Sequence, residues 1–550
     1  MSVPAGRGRA SRRPGPTAPE VAILQHRLKS LTREMGLALL HTARSPILAE
    51  ARDFVTGVYD ARGRMLEQTE YIPVLAFAVQ PSLRAVIDAF GDDVHPGDVF
   101  LHNDVFRGGN QLADVCVFRP VFHGGHLVAW VAVKGHQADI GGAVGGGYNP
   151  KATEVWQEGL RIPPVRVVSR GRRLRDVWDL IFANIRYRVV AEDLEAAMGA
   201  CVVGERGLER IVSRSGRGGF LAGIESLMDA TERRMRAAIR EFPEGVYRGE
   251  APVCAGAEER GFPLWIRCRV EIRAGEIRIS YEGTSPQTPG FINAPASASL
   301  SAAVLTLLMI LAPDIPHNDG MLRPIRIRLP EGSILAARYP AATGFGNTLT
   351  GAHADALFRA FFQARRDRVT AGWNRMLAAV IAGRDPRKGG SPYVDILFNA
   401  LKGGSGAMEG QDGYDHIGLI NCAGGIMAQD PEMFEAAVPH RLLRHEYAQG
   451  SAGKGRWRGG RGVVTRIRFG APVDRLVVFG DGLTGETRAF GLAGGLPGSR
   501  NQMFLDYPGG RRVRPRTLDL IEGVPEGTVF TQVAGGGGGF GPPGDGSGCE

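Results

Sequence analysis

Residues 99–142 carry the pattern that most restricts the fold of this chain. Two runs of apolar β-formers, DVCVFRPV and LVAWVAV, flank the four residues His123-Gly124-Gly125-His126. Paired glycines supply the positive φ angles of a two-residue hairpin turn, so the runs are expected to fold back as antiparallel strands. A hairpin brings its open ends together. Asp104 and Asp114 precede the first strand and His136 and Asp139 follow the second, so these four side chains are expected to converge. Gly108, Gly109, Gly135, Gly141 and Gly142 around them let backbone approach closely without Cβ clashes. Carboxylates and imidazole in such a mouth suit a metal site or an acid–base site.

Elsewhere the pattern mixes helix and strand. Thr17 and Glu20 form a capping box ahead of Leu24, Leu28, Leu31, Met35 and Leu39, which fall at helical spacing. Helices are also expected over 82–90, over 174–240 with a break near Gly204, over 294–311 and over 354–366. LWIRCRVEI and IRISYEG within 263–283 read as an antiparallel pair, and VVTRIRF, RLVVFG and TVFTQV as short strands. The fold class is α+β, multi-domain, with mixed helices, antiparallel sheets and a glycine-rich, β-rich C-terminal region. Residues 1–19 read as a disordered basic tail. The remainder divides into an α+β domain over 20–240 that holds the candidate metal site, an α+β middle domain over 241–380 and the glycine-rich region over 381–550.

Composition excludes several functions. Of the net charge of +9, Arg7, Arg9, Arg12 and Arg13 in the tail supply four, and no basic cluster alternates with aromatics, so nucleic-acid binding is disfavoured. The longest apolar run, AAVLTLLMILA, is too short to span a bilayer and reads as a buried helix; no membrane association is expected. Six cysteines without CxxC spacing imply neither a disulfide framework nor a zinc ribbon, and point to the reducing cytoplasm. No phosphate-binding G-x-x-x-x-G-K-[ST] and no G-x-S-x-G nucleophile elbow occurs. The constellation Asp53, Asp104, Asp114, His136, Asp139 remains; its bland reading is Asx-turn aspartates and a surface histidine. The glycine run Gly535, Gly536, Gly537, Gly538 and Gly539 could offer backbone N–H groups to a carboxylate, phosphate or oxyanion, or form a flexible tail.

At full length the chain resembles the B subunit of ATP-dependent hydantoinases and oxoprolinases, a group that includes the matching subunit of acetone and acetophenone carboxylases. The blocks that carry the resemblance are EMGLALLHTARSP, EARDF, NDVFRGG, the HxAD-I-GG run at His136, EGLRIPP, PDIPHNDGMLRPI, PEGS, GRWRGGRGVV and the terminal GGGGGFG. The resemblance implies ATP-dependent opening of a cyclic amide (a hydantoin, oxoproline or a lactam), or carboxylation of a ketone. It also implies an A-type partner subunit that binds ATP and phosphorylates the substrate, making a hetero-oligomer; this chain would not bind ATP itself. A non-catalytic partner role is the further alternative.

Carried over residue by residue, the resemblance implies a divalent metal, zinc, manganese or iron, held by Asp53, Asp114 and His136. Gln111 stands where the family pattern has a second imidazole. A neutral amide is a poorer ligand for zinc and suits harder cations. Asp139 or Asp104 would orient His136 through its other ring nitrogen, and Gly535–Gly538 would contact an oxyanion or phosphate. Gln137, Ala113, Tyr71 and Val533-Ala534 also depart from the pattern and mark a divergent member.

Overall fold

A computed structural model describes residues 16–69, 71–254 and 263–544; most of the predicted N-terminal tail lies outside the described residues. The predicted hairpin forms. Asp114–His123 and His126–His136 pair antiparallel, with Asp114 opposite His136 and His123 opposite His126. Gly124 and Gly125 between them both have positive φ, 57° and 79°, as a turn of the I′ type demands.

The hairpin is the centre of a seven-stranded sheet. With β1 Phe54–Asp60, β2 Met65–Gln68, β3 Val99–His102, β4 Asp114–His123, β5 His126–His136, β6 Val165–Ser169 and β7 Arg172–Arg173, the order is β2-β1-β5-β4-β3-β6-β7. One face is covered by the N-terminal helix Ala18–Thr42 and a 52-residue helix, Val189–Arg240. Thr56 on β1 donates its hydroxyl to the Thr32 carbonyl on that face. The two helices lie close because Gly204 and Gly207, one turn apart, face Met35 and Leu31; a Cβ at either would approach within 3.0 Å of those side chains. The opposite face lies under the short helices Pro73–Ala76 and Val79–Phe90, where Ser82 bonds the Gly108 carbonyl.

The long helix corrects one expectation. It runs through Gly204 without a break and kinks at Gly216, whose φ of 68° and ψ of 163° are non-helical. A glycine in a helix can serve close packing or a bend, and spacing alone does not distinguish them.

A second, four-stranded sheet joins Gly245–Val253, Leu264–Arg273, Glu276–Ser280 and Ile325–Arg328. The predicted pair within 263–283 is its antiparallel centre. Helix Thr350–Phe362 packs on it at Gly249, where a Cβ would fall within 3.0 Å of the Ala356 and Ala360 backbone. Helix Ala296–Leu311, the longest apolar run, is buried along nearly its whole length. Two further sheets, of four and five strands, are built within 377–534 and include the three predicted short strands Val463–Phe469, Val473–Gly480 and Val529–Ala534. One apolar core nonetheless runs continuously from Leu28 to Phe540, and a smaller one lies between the last two sheets. Mixed helices and antiparallel sheets in several layers make the architecture α+β.

Candidate active site

Asp114 and His136 meet because they are cross-strand partners at the open end of the hairpin. The His136 imidazole Nδ1 lies 2.7 Å from Asp114 Oδ1, with both side chains buried. β1 runs beside β5 on the other side, and the His136 N–H donates to the Asp53 carbonyl at 3.0 Å. Asp53 is therefore brought to the same corner as Asp114 and His136, the residues with which the family resemblance groups it.

Residues distant in sequence complete this corner. Asn110 Nδ2 donates to Asp114 Oδ2 at 2.5 Å, and Asn347 Nδ2 reaches Asp114 Oδ2 at 3.3 Å and Gln111 Oε1 at 2.9 Å. Tyr148 stacks on His136, with ring centroids 5.8 Å apart and planes 20° from parallel, and Phe479 stacks on Tyr148 at 4.3 Å. The loop carrying Asn347 is anchored by the buried Glu158, whose carboxylate accepts the Thr343 and Gly344 N–H groups at 2.8 and 2.7 Å. Asn347 and Phe479 had no signal in the sequence, whereas Glu158 opens the EGLRIPP block of the family resemblance. Asn110 and Tyr148 lie inside glycine-rich stretches that could have marked them.

The electrostatics follow from burial and charge. Burial alone would depress the His136 imidazole, but its bond to Asp114 and the charges of Asp114 and Asp53 outweigh this and hold its pKa above the ordinary value. Asp53 keeps part of its surface accessible, yet burial of its carboxyl pushes its pKa up to about 7, against the pull of His136. The Asp53 carboxyl makes no hydrogen bond among the described residues. His136 Nε2, Gln111 Nε2 and Asn110 Oδ1 are buried and likewise without partners among the described residues. The Asp53 carboxylate, the His136 lone pair and the Asn110 amide oxygen are acceptors with the chemistry of a cation-binding set. Gln111 Nε2 is a donor, and only the Gln111 oxygen, which accepts from Asn347, could join them. Among the described residues, however, no three His, Cys, Asp or Glu side chains are gathered closely enough to hold a metal ion in this conformation. Asp114 has both oxygens engaged in hydrogen bonds, so its role here is to orient the imidazole.

Three other expectations are corrected. Asp104 caps the turn Val105–Arg107 by accepting the Phe106 N–H at 3.1 Å, and pairs with Arg161 at 3.4 Å. Asp139 organises the glycine loop, accepting the N–H groups of Gly141, Gly146 and Arg186. Neither touches His136, whose Nδ1 belongs to Asp114. The hairpin fixes only the residues inside its register, and turns outside it use their aspartates locally.

The glycine run, too, is neither tail nor anion cradle. Gly535 N–H donates to Asn501 Oδ1, Gly536 to Ser499 Oγ, Gly537 to the Gly460 carbonyl and Gly538 to the Gly372 carbonyl. All four are buried, their donors spent inside a stack of glycine-rich segments.

The description of the hydantoinase B/oxoprolinase family matches residues 18–543. The chain belongs to that family. Its sequence is 36% identical over 534 residues to the caprolactamase subunit beta of Pseudomonas jessenii, covering 95% of this chain and 90% of that one. The crystal structure of the ATP-dependent caprolactamase from Pseudomonas jessenii matches with a TM-score of 0.87 at 34% identity, over 95% of this chain and 90% of that chain. The 5-oxoprolinase PfmaA of Pestalotiopsis fici is 28% identical over 495 residues, 88% of this chain but 38% of that longer protein. An acetone carboxylase in its nucleotide-free structure has the same fold, with a TM-score of 0.86 at 21% identity over 95% of this chain and 76% of that one.

Proposed function

We propose that this chain is the B-type subunit of an ATP-dependent cyclic-amide hydrolase. It opens a hydantoin, oxoproline or lactam ring that an A-type, ATP-binding partner subunit has activated by phosphorylation. The observation that carries this reading is the buried Asp114–His136 couple beside Asp53, in a chain similar along its length to a caprolactamase subunit. The absence of a phosphate-binding loop motif from the sequence fits a division of labour in which ATP binds elsewhere. The buried thiols of Cys116, Cys201, Cys268 and Cys422, none of them in a disulfide, fit a reducing cytoplasm.

Asp114 Oδ1 holds the Nδ1 proton of His136, which fixes the tautomer and leaves the Nε2 lone pair free. Tyr148 and Phe479 hold the ring plane and exclude water from its face. The Asp53 carboxyl, with its pKa near 7, holds or releases a proton in the working pH range. His136 Nε2, the Asp53 carboxylate and the Gln111 amide oxygen would hold a divalent cation, zinc, manganese or iron, with Asp114 orienting the imidazole. Such a cation polarises a carbonyl or lowers the pKa of a bound water.

The test uses the chain assembled with its ATP-binding partner and a panel of a lactam, oxoproline and a hydantoin. His136→Ala and Asp114→Asn are expected to lower ring opening by about 100-fold or more, with circular dichroism unchanged. Elemental analysis is expected to find a divalent metal in the wild type that Asp53→Ala loses. Unchanged turnover in both active-site variants refutes the reading. ATP turnover that requires a ketone and bicarbonate instead would make the chain a carboxylase subunit.

A further inference from the structure

Lys134 stands two residues before His136 on β5, so alternation puts both side chains on one face of the sheet. The strand registers extend this into rows. The row next to Asp114–His136, about 7 Å back along the strands, runs Val55, Lys134, Cys116 and His102 across β1, β5, β4 and β3. Its polar members are all buried. Lys134 is 0% exposed, and among the described residues its ammonium makes one long hydrogen bond, 3.4 Å to the Ala78 carbonyl. No carboxylate among the described residues pairs with it.

His102 is equally buried and neither of its ring nitrogens has a partner among the described residues. Burial, with the positive charges of Lys134 and Arg107, pushes its pKa down to about 3, so the ring is neutral and carries one N–H. On the same face, Gln68 opposite Gly57 has no partner for either end of its amide among the described residues, nor has the Tyr59 hydroxyl, which lies over Gly57.

A buried ammonium with no counter-charge is costly, where a methionine would fill the same space at no such cost. The imbalance is also one-sided. Lys134, His102 and Tyr59 bring donors, and the acceptors on this face, such as the Gln68 amide oxygen, are neutral, so nothing among the described residues offsets the charge of Lys134. What would balance the row is a ligand that is small, negative and rich in acceptor oxygens.

We propose that Lys134 and His102 form an oxyanion pocket continuous with the Asp114–His136 couple, and that it receives the negatively charged oxygens of the activated substrate, a phosphate or a carboxylate. This rests on the cyclic-amide reading for the identity of the substrate, but not for the existence of the pocket. With the reacting carbon at His136, the row at Lys134 lies one pleat repeat away, within the span of a phosphorylated or carboxylated ring.

The experiment measures thermal unfolding and titration calorimetry of the full-length chain with inorganic phosphate and, separately, acetate. The unfolding temperature of the wild type is expected to rise with one of them; phosphate identifies a phosphoryl group as the occupant and acetate a carboxylate. Lys134→Met is expected to lose the shift while unfolding at the same or a higher temperature without anion. Lys151→Met, at an exposed position, is expected to keep it. In the assembled enzyme Lys134→Met is expected to lower kcat/KM at least tenfold. No shift and no heat with either anion in the wild type overturns the proposal, as does a shift that survives in Lys134→Met. If Lys134→Met does not fold, the wild-type titrations alone decide. Anion binding in a complex that opens no cyclic amide would refute the substrate class and leave the pocket standing.

Discussion

Gly537→Ala puts one methyl group where the structure has no room for it. The new Cβ would lie inside the carbonyl group of Ser405, far closer than the 3.0 Å that real Cβ atoms do not cross, with the Gly406 nitrogen 2.7 Å away. These obstacles are backbone, so no rotamer change relieves the clash. Overpacking of a core by a methyl or two costs about 1–3 kcal/mol when side chains can yield. Here the segments must separate instead, loosening the hydrogen bonds from Gly537 N to Gly460 O, Gly453 N to Gly537 O and Ala407 N to Gly538 O, each 2.9 Å. At about 1 kcal/mol for each bond, the total destabilisation is expected to reach roughly 4 kcal/mol or more. Gly199→Ala is the matched control. That glycine lies in the helix Val189–Arg240, with nothing within 4 Å of its Cβ position, so the same added methyl is expected to stabilise by about 1 kcal/mol through helix propensity. Thermal unfolding of the two variants beside the wild type, at one scan rate, reads both signs. A Gly537→Ala protein as stable as the wild type would refute the view that this run is a structural stack.

Two more predictions concern buried charge. Arg375 bonds Asp355 Oδ2 at 2.7 Å, Asp481 Oδ2 at 2.7 Å and the Pro252 carbonyl at 2.6 Å, all out of water. Arg375→Met leaves two carboxylates unpaired and is expected to cost about 3–5 kcal/mol, read as a lowered urea midpoint; an unchanged midpoint would show that the triad is not a stabilising tie. Asp395 is buried against Gln429, and burial pushes its pKa from 3.8 up to about 7. A carboxyl whose folded pKa is raised contributes stability below its unfolded pKa and loses it as the pH rises through the folded value. Asp395→Asn should therefore gain on the wild type between pH 4 and pH 8, by on the order of 4 kcal/mol at most; parallel stability curves over that range would exclude the effect.

Whatever is local in origin was legible in the sequence. Two adjacent glycines with apolar runs on either side impose a turn, the turn imposes a register, and the register sets Asp114 opposite His136 twenty-two positions away. Alternation along the same strands also places Lys134 and Cys116 beside them, although nothing in the pattern said that Lys134 would lack a counter-charge. Family membership was legible for a different reason, since many ordered blocks from residue 20 onward match one pattern.

Packing decided the rest. The approach of Asn347 and Phe479 to Asp114 and Tyr148 depends on loops whose positions are set by contacts such as Glu158 with Thr343 and Gly344, which leave no periodic trace. A glycine run presents the same letters whether its N–H groups face an anion or another backbone. Only the segments laid against Gly535–Gly538 show that those donors are already taken. Likewise Gly204 and Gly216 are identical in sequence, and the neighbour at Met35 makes one a contact point while its absence leaves the other a bend. Chain-local geometry propagates through hydrogen-bonded register, whereas the partner of a side chain across the core is set by the packing of the whole fold.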